Sequence, residues 1–248
     1  MALDKKKTPC GTLYGVGVGP GDPGLLTLKA LEALSAAGVI AVPSSGNAGG
    51  ATHMALSIIS PVVSINQKEI LRLVFPMTHD GKEIEKARSE AGDKVIERLK
   101  NGLDVAFITL GDPMLYSTFS PVAAIVKKRF KDAAIRVIPG VNSFSAAAAL
   151  ACLPIAEHDE RIAVLPASYD MESVKEALRS FDTVILMKVN KVFGELVGVL
   201  EEKGFSAVFA SRVGFSDELI LTDIKDVKAA SPGYFSLIIA KKRHNDAK

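Results

Sequence analysis

Residues Gly15 to Gly24 read GVGVGPGDPG, a stretch dominated by glycine and proline. It begins inside a β-rich run from Thr12 to Val18 and precedes a run from Leu25 to Ala37 whose apolar residues recur at helical spacing. Glycines allow the tight turn that links a strand to a helix. The stretch therefore predicts a βα unit at the start of an α/β fold.

The same alternation of strand-like and helix-like runs continues along the chain. We predict two α/β domains, residues 1–115 and 116–248, with a cofactor cleft between them, and a second domain that ends in antiparallel strands. The predicted strands lie near residues 12–18, 38–42, 70–75, 104–110, 134–138, 162–165, 183–187, 207–210, 219–222 and 234–240. The predicted helices lie near 25–37, 51–59, 80–100, 118–130, 143–151, 171–181 and 191–203.

Composition excludes several functional classes. The 248 residues carry a formal net charge of +2, so nothing in the charge balance indicates a nucleic-acid or anionic-membrane partner. No uninterrupted apolar run reaches the roughly 18 residues of a spanning helix, and no signal peptide is evident at the start, so we expect a cytoplasmic protein. Cys10 and Cys152 lack neighbours at metal-ligand spacing, which predicts neither a disulfide nor a protein-bound metal, and Cys152 is expected in the core.

The first loop formally satisfies a dinucleotide-binding pattern, GxGxxG, through Gly19, Gly21 and Gly24. Pro20 and Pro23 remove two of the backbone N–H donors that a pyrophosphate would need. The strand that ends at residue 42 also carries no acid for a ribose hydroxyl. A nicotinamide-dependent dehydrogenase is therefore a disfavoured alternative.

Two further Gly/Pro-rich loops follow predicted strands. They are GDPMLYST, from Gly111 to Thr118, and IPGVNSF, from Ile138 to Phe144. In open α/β sheets ligands bind at the carboxyl ends of strands, where glycine lets the backbone approach them closely. The three loops together predict a site for a nucleotide-like cofactor.

These loops resemble those of the tetrapyrrole methylases of corrin and sirohaem biosynthesis. That family has a VGxGPGDPxLLTLKA start, a GDPxxYS loop and a PGxxS loop, and all three occur here in the same order. Leu186-Met-Lys-Val and Ser211-Arg-Val-Gly214 resemble two later loops of the family. The segments YSTF, PGVNSFSAAAALACLP and AEHDERIAVLPA resemble the enzymes that methylate C-20 of precorrin-2 or cobalt-factor II.

The resemblance implies a homodimeric enzyme that uses S-adenosyl-L-methionine. Tyr116 is the candidate for orienting the tetrapyrrole or helping proton transfer, although a packing role is equally compatible with its position. Asp112 either favours the cationic cofactor or only forms a turn before Pro113. The implied cofactor-binding residues are Pro20, Gly111, Asp112, Leu115, Asn142, Ser143, Met187 and Gly214.

The implied substrate is a tetrapyrrole with many carboxylates. Arg72, Lys188 and Arg212 are candidates to bind them, with surface salt bridges as the alternative. The loop from Pro43 to Gly50 is either a lid or a plain connection. The cobalt-containing substrate is favoured over metal-free precorrin-2. Methylation at another ring position and a non-catalytic cofactor-binding module remain alternatives.

Overall fold

The computed structural model describes residues 10–45, 50–167 and 170–243. In these ranges strands and helices alternate as the sequence predicts, and the fold is mixed α/β. The strands are β1 (Thr12–Gly17), β2 (Val39–Ser44), β3 (Glu69–Val74), β4 (Val105–Thr109), β5 (Ala134–Ile138), β6 (Ile162–Pro166), β7 (Thr183–Met187), β8 (Ser206–Ser211), β9 (Leu219–Leu221) and β10 (Ser236–Lys241). The helices are α1 (Leu28–Ala36), α2 (Gly50–Ile59), α3 (Gly81–Lys100), α4 (Phe119–Arg129), α5 (Ser143–Leu150), α6 (Met171–Ser180), α7 (Phe193–Glu202) and α8 (Ile224–Ala229).

The chain forms two compact units, residues 1–141 and 142–248. Our predicted boundary lay between residues 115 and 116, whereas the structure keeps α4 and β5 in the first unit. The reason is a non-local pairing, because β5 joins the first sheet beside β1. A sequence pattern shows that β5 exists but not which strand it pairs with.

The first unit is built on a parallel five-stranded sheet in the order β3-β2-β4-β1-β5. Helices α3 and α4 share an apolar cluster with one face of this sheet, and α1 and α2 contact β1 and β2. Close packing depends on Gly15, since a Cβ there would lie 2.3 Å from the ring of Phe119. Because all five strands are parallel, their carboxyl ends, and the loops that follow, lie at one edge.

The second unit has a mixed sheet in the order β6-β7-β10-β8-β9. Strand β10 runs antiparallel to β7 and β8, and β9 runs antiparallel to β8, which confirms the predicted antiparallel ending. Helices α6 and α7 and the short α8 share one core cluster with the sheet. Helix α5 contacts β8 and β10, and its buried alanines lie outside that cluster, which places it over the opposite face.

Three sequence predictions differ from the structure in detail. The first helix begins at Leu28 rather than at Leu25, because residues 23–25 form a 3₁₀ turn capped by Asp22. Cys152 is exposed rather than in the core, since the chain turns after α5 and gives this residue a φ of 48°. Of the predicted loop at 43–50, Pro43 and Ser44 continue β2 and Gly50 begins α2, while residues 46–49 lie outside the described residues.

A buried ion pair fixes the segment between α5 and β6. The Lys241 ammonium at the end of β10 lies 2.9 Å from the Glu160 carboxylate, and both side chains are only 9% exposed. The ammonium also donates to the Pro154 carbonyl oxygen at 2.9 Å and lies 3.7 Å from the Glu157 carboxylate. Both charges are thus compensated away from water, as buried charges require.

None of the helices in the described ranges combines the length and the apolar character needed to cross a membrane.

Substitution Lys241→Met is expected to lower the free energy of unfolding by about 3–5 kcal/mol, because it removes the buried ammonium that pairs with the Glu160 carboxylate and puts an uncharged side chain in its place. Denaturant titration followed by circular dichroism measures the change. The double variant Lys241→Met/Glu160→Gln should recover part of that loss. As a matched control, Lys228→Met removes an exposed pair with Glu201 and should cost less than about 1 kcal/mol. Equal losses at Lys241 and Lys228 would contradict the stabilising role of the buried pair.

Candidate functional site

Three backbone segments meet at the carboxyl edge of the first sheet. The Gly111 N–H donates to the Gly19 carbonyl oxygen at 2.8 Å, which forms an isolated antiparallel bridge beyond β1 and β4. The Val18 N–H donates to the Thr109 carbonyl oxygen at 2.9 Å and extends the ladder into the loops. The first and second predicted loops are therefore held together by their own backbones.

Glycine is required where these segments touch. A Cβ on Gly17 would lie 2.6 Å from the Gly111 carbonyl oxygen and from the Gly140 nitrogen. A Cβ on Gly140 would lie 2.2 Å from the same carbonyl oxygen. Both distances are shorter than van der Waals contact, so only glycine fits at either position.

Asp112 fastens the second loop to the third. One carboxylate oxygen accepts the Met114 N–H at 2.8 Å, which is the turn-forming role expected of an Asp before Pro113. The other oxygen accepts the Gly140 N–H at 3.0 Å, across to the loop after β5. Asp112 is half-buried, and each of its carboxylate oxygens accepts a backbone N–H.

The first loop uses its own backbone donors. Pro20 is buried and has no N–H, and the Gly24 N–H donates to the Asp22 carboxylate at 2.7 Å. The Leu25 and Leu26 amides donate to the carbonyl oxygens of Asp22 and Pro23. The two prolines of the loop have no N–H and three of its amides are used within the loop, so fewer donors remain for a pyrophosphate, in line with the sequence argument against a dinucleotide.

Leu115 and Tyr116 end the second loop. Leu115 is half-buried, and its N–H lies 3.4 Å from the Asp112 carbonyl oxygen. Tyr116 is 48% exposed and has a φ of 48°, a left-handed conformation that is uncommon outside glycine. The five first-unit candidates, Pro20, Gly111, Asp112, Leu115 and Tyr116, thus all lie in loops after β1 and β4.

The remaining four candidates lie in the second unit. Asn142 precedes α5, and its side chain makes no capping hydrogen bond; Ser143 is the first residue of the helix. Met187 ends β7, where its carbonyl oxygen accepts the Ala167 N–H at 2.8 Å. Gly214 follows β8 with a φ of 81°. Strands β7 and β8 run in the same direction, so Met187 and Gly214 belong to one edge of the second sheet.

Glu218 orients the loop around Gly214. Its carboxylate accepts the Gly214 N–H at 2.6 Å, a short charge-assisted hydrogen bond. Glu218 was not identified from the sequence. Nothing in the local pattern shows that the chain turns so that the Glu218 carboxylate reaches the N–H of Gly214, four residues earlier. The close contacts of Gly17 and Gly140 were likewise missed, although both glycines lie in segments that the sequence singles out.

Two basic residues flank the start of β10 at this edge. The Lys188 N–H donates to the Ser236 carbonyl oxygen, and the Arg212 N–H donates to that of Phe235. Both have left-handed backbones, with φ of 59° and 52°. For a residue other than glycine this conformation costs roughly 1–2 kcal/mol.

Arg212 is held by its own loop. Its guanidinium pairs with the Asp217 carboxylate and lies 5.1 Å from the centre of the Phe215 ring. The hydrogen bond from Arg212 lowers the pKa of Asp217 below its ordinary value. The pairing therefore persists above that ordinary pKa and is lost as pH falls through the lowered one. Arg72, the third basic candidate, is exposed within β3 of the first unit.

The first unit thus has the geometry in which α/β proteins commonly bind ligands, with glycine-rich loops brought together at the carboxyl ends of parallel strands. The family model for tetrapyrrole (corrin/porphyrin) methylases matches residues 12–228. The chain belongs to this family, whose members are S-adenosylmethionine-dependent methyltransferases.

Named relatives and solved structures agree with this assignment. The chain is 38% identical over 209 residues to the probable cobalt-precorrin-2 C(20)-methyltransferase of Methanocaldococcus jannaschii, covering 84% of this chain and 86% of the relative. It is 31% identical to the cobalt-precorrin-2 C(20)-methyltransferase of Salmonella typhimurium, covering 94% and 97%. The fold matches uroporphyrin-III C-methyl transferase from Thermus thermophilus, complexed with S-adenosyl homocysteine, with a TM-score of 0.65, 18% identity, and coverage of 93% and 92%.

Substitution Gly140→Ala is expected to lower the free energy of unfolding by about 1–3 kcal/mol, because the new Cβ overlaps the Gly111 carbonyl oxygen. Denaturant titration checks the change. Gly198→Ala is the matched control: it lies in α7 with nothing within 4 Å of the new Cβ, and should stabilise the protein by about 0.5–1 kcal/mol. If Gly140→Ala were as harmless as Gly198→Ala, the three-loop contact would not be tight.

Proposed function

We propose that this chain transfers the methyl group of S-adenosylmethionine to C-20 of a cobalt-containing precorrin-2 (cobalt-precorrin-2 or cobalt-factor II) in cobalamin biosynthesis. The observation that carries the proposal is the shared name of two relatives, which are 38% and 31% identical over most of the chain. Both names specify position C-20 and the cobalt form. They support this substrate over metal-free precorrin-2 and over methylation at another ring position.

The first-unit loops fit such a methyl donor. S-adenosylmethionine carries a nucleoside without phosphates, and the loop that contains Pro20 has few donors for a phosphate, because two of its residues are prolines and three of its amides are used within the loop. The glycine contacts leave backbone rather than side chains at the strand ends, which suits close approach of a flat base. The same features argue against a dehydrogenase.

We assign donor binding to the residues that the resemblance implies. They contribute mainly backbone groups and apolar surface, so they hold the ligand by shape and hydrogen bonds. The Asp112 carboxylate is engaged by two amides; its primary role is to hold the loops, and its charge also favours a cation nearby. The assigned residues are Pro20, Gly111, Asp112, Leu115, Asn142, Ser143, Met187 and Gly214.

Methyl transfer requires little acid–base catalysis by the protein. S-adenosylmethionine supplies an electrophilic methyl group on a positively charged sulfonium. Residues of this chain have to orient the acceptor carbon and keep water away from the reacting atoms, which accounts for much of the rate enhancement in such reactions. Cobalt belongs to the substrate in this proposal, so the reaction requires no metal ligands from the protein.

C-20 loses a proton once the new carbon–carbon bond has formed. Tyr116 is the described residue that we propose for orienting the ring or assisting this proton transfer. Its exposure near the end of the loop from Gly111 to Thr118 supports that role, since the side chain is accessible to a ligand. We further propose, from the family resemblance, a homodimer that acts in the cytoplasm.

A methyl-transfer assay resolved by mass spectrometry tests the function. Incubation with S-adenosylmethionine carrying a ¹³C-methyl group, under anaerobic conditions and with cobalt-factor II and precorrin-2 in parallel, is expected to add one methyl group. The label should appear at C-20 by NMR, with cobalt-factor II the better acceptor. Preference for precorrin-2 would contradict the cobalt assignment, and a label at another carbon would contradict C-20. Binding of the donor with no transfer to either acceptor would favour a non-catalytic module.

Tyr116→Phe tests the proposed role of Tyr116 in orienting the ring or assisting proton transfer. Removing only the hydroxyl should lower kcat about tenfold or more while leaving the Kd for S-adenosylhomocysteine unchanged. Tyr14→Phe, within β1, is the control and should leave kcat unaltered. An unaltered kcat in Tyr116→Phe would make Tyr116 a packing residue.

A further inference from the structure

We propose that Lys188, together with Arg212, forms a carboxylate-binding site at the edge of the second sheet where β7 and β8 end. This inference rests on the proposed function and extends it, because it specifies which chemical group of a ligand these residues bind. Both the tetrapyrrole substrate and the methionyl part of the methyl donor carry carboxylates. The ligand chemistry is therefore the same for the two sources, and the experiment below distinguishes them.

The position of the two residues follows from strand pairing. Lys188 directly follows β7 and Arg212 directly follows β8, and β10 lies between the two strands. Strands in a sheet are spaced by about 4.8 Å, so the two backbones lie roughly 10 Å apart. Lysine and arginine side chains are long enough for both charged groups to reach ligand carboxylates on this edge.

The electrostatic balance at this edge leaves Lys188 uncompensated. Asp170 accepts two amides at the start of α6, Glu218 accepts the Gly214 N–H, and Asp217 pairs with Arg212. Among the residues that the structure describes, no carboxylate lies within ion-pairing distance of the Lys188 ammonium. Lys188 is nevertheless half-buried, which raises the cost of an unpaired charge.

Backbone conformation adds an independent argument. Lys188 has φ 59° and ψ 44°, a region that glycine adopts freely and lysine does not. The conformation is fixed by the hydrogen bond from its own N–H to Ser236. A strained lysine at this position weakens the fold, and strain of this kind is characteristic of residues that bind ligands.

Arg212 differs from Lys188 in being fixed in place. Its pair with Asp217 and its contact with the Phe215 ring hold the guanidinium, so that little side-chain freedom is lost when a carboxylate binds. We therefore assign Arg212 the second position in the site. Arg72 has no part in it, since it lies in a strand of the first unit.

The decisive variant is Lys188→Gly, because strain and binding predict opposite effects. Removing the strained side chain should raise Tm by about 2–4 °C. The same change should weaken carboxylate-ligand binding about tenfold or more. A residue that only supports the fold would not show higher stability with lower affinity.

Two further variants complete the series. Lys188→Arg keeps the charge and should retain most of the affinity. Lys203→Gln removes a lysine from the exposed end of α7, at the opposite edge of the second sheet, and should leave both affinities unchanged. Each variant is measured by calorimetric titration with S-adenosylhomocysteine and by spectroscopic titration with cobalt-factor II under anaerobic conditions.

The expected result is weaker binding of cobalt-factor II with unchanged binding of S-adenosylhomocysteine, which identifies the tetrapyrrole as the source of the carboxylate. Weaker binding of S-adenosylhomocysteine alone also supports the site and identifies the methyl donor as the source. If Lys188→Gly bound both ligands as the wild type does, the site would be overturned. The proposed function is tested separately by the methyl-transfer assay. It would be overturned if the wild-type protein methylated neither acceptor.

Discussion

The first unit depends on close contact between the backbones of three loops, which is possible only where the residues in contact are glycines. The Gly111 carbonyl oxygen occupies the space that a Cβ on Gly17 or Gly140 would fill. The loops after β1, β4 and β5 can therefore meet, and the Asp112 carboxylate ties the second loop to the third. The loops at one edge of the parallel sheet are thereby held against one another by backbone contacts and hydrogen bonds. In the proposed function this edge positions the methyl donor.

Hydrogen-bond satisfaction inside the first loop also limits what this surface can bind. Pro20 has no N–H, and Asp22 takes the Gly24 N–H that a phosphate would otherwise accept. A pattern that formally matches a dinucleotide motif thus has fewer of the backbone N–H donors that bind phosphates. The small number of N–H donors argues against a dehydrogenase. The family match supports a methyltransferase.

The second unit uses charge where the first uses close backbone contact. Its sheet edge has Met187 and Gly214 in two strand-end loops, and carboxylates stabilise the second of these from within. Away from that edge, the Lys241–Glu160 pair holds the connection between α5 and β6 against β10. Buried and half-buried charges in this unit thus stabilise the chain, and at Lys188 we propose that the charge binds a ligand carboxylate.

The sequence by itself determined the order and approximate bounds of the strands and helices, because hydrophobic period and Gly/Pro turns are local properties. It also identified the three strand-end loops and the family. Tertiary structure alone decided that β5 pairs with β1, which moves the unit boundary to residues 141 and 142, since strand pairing joins residues distant in sequence. It likewise decided that Cys152 is exposed, that Glu218 supports Gly214, and that the acids at the second edge leave Lys188 unpaired among the described residues. Burial and ion pairing depend on distances between segments, which no local pattern encodes.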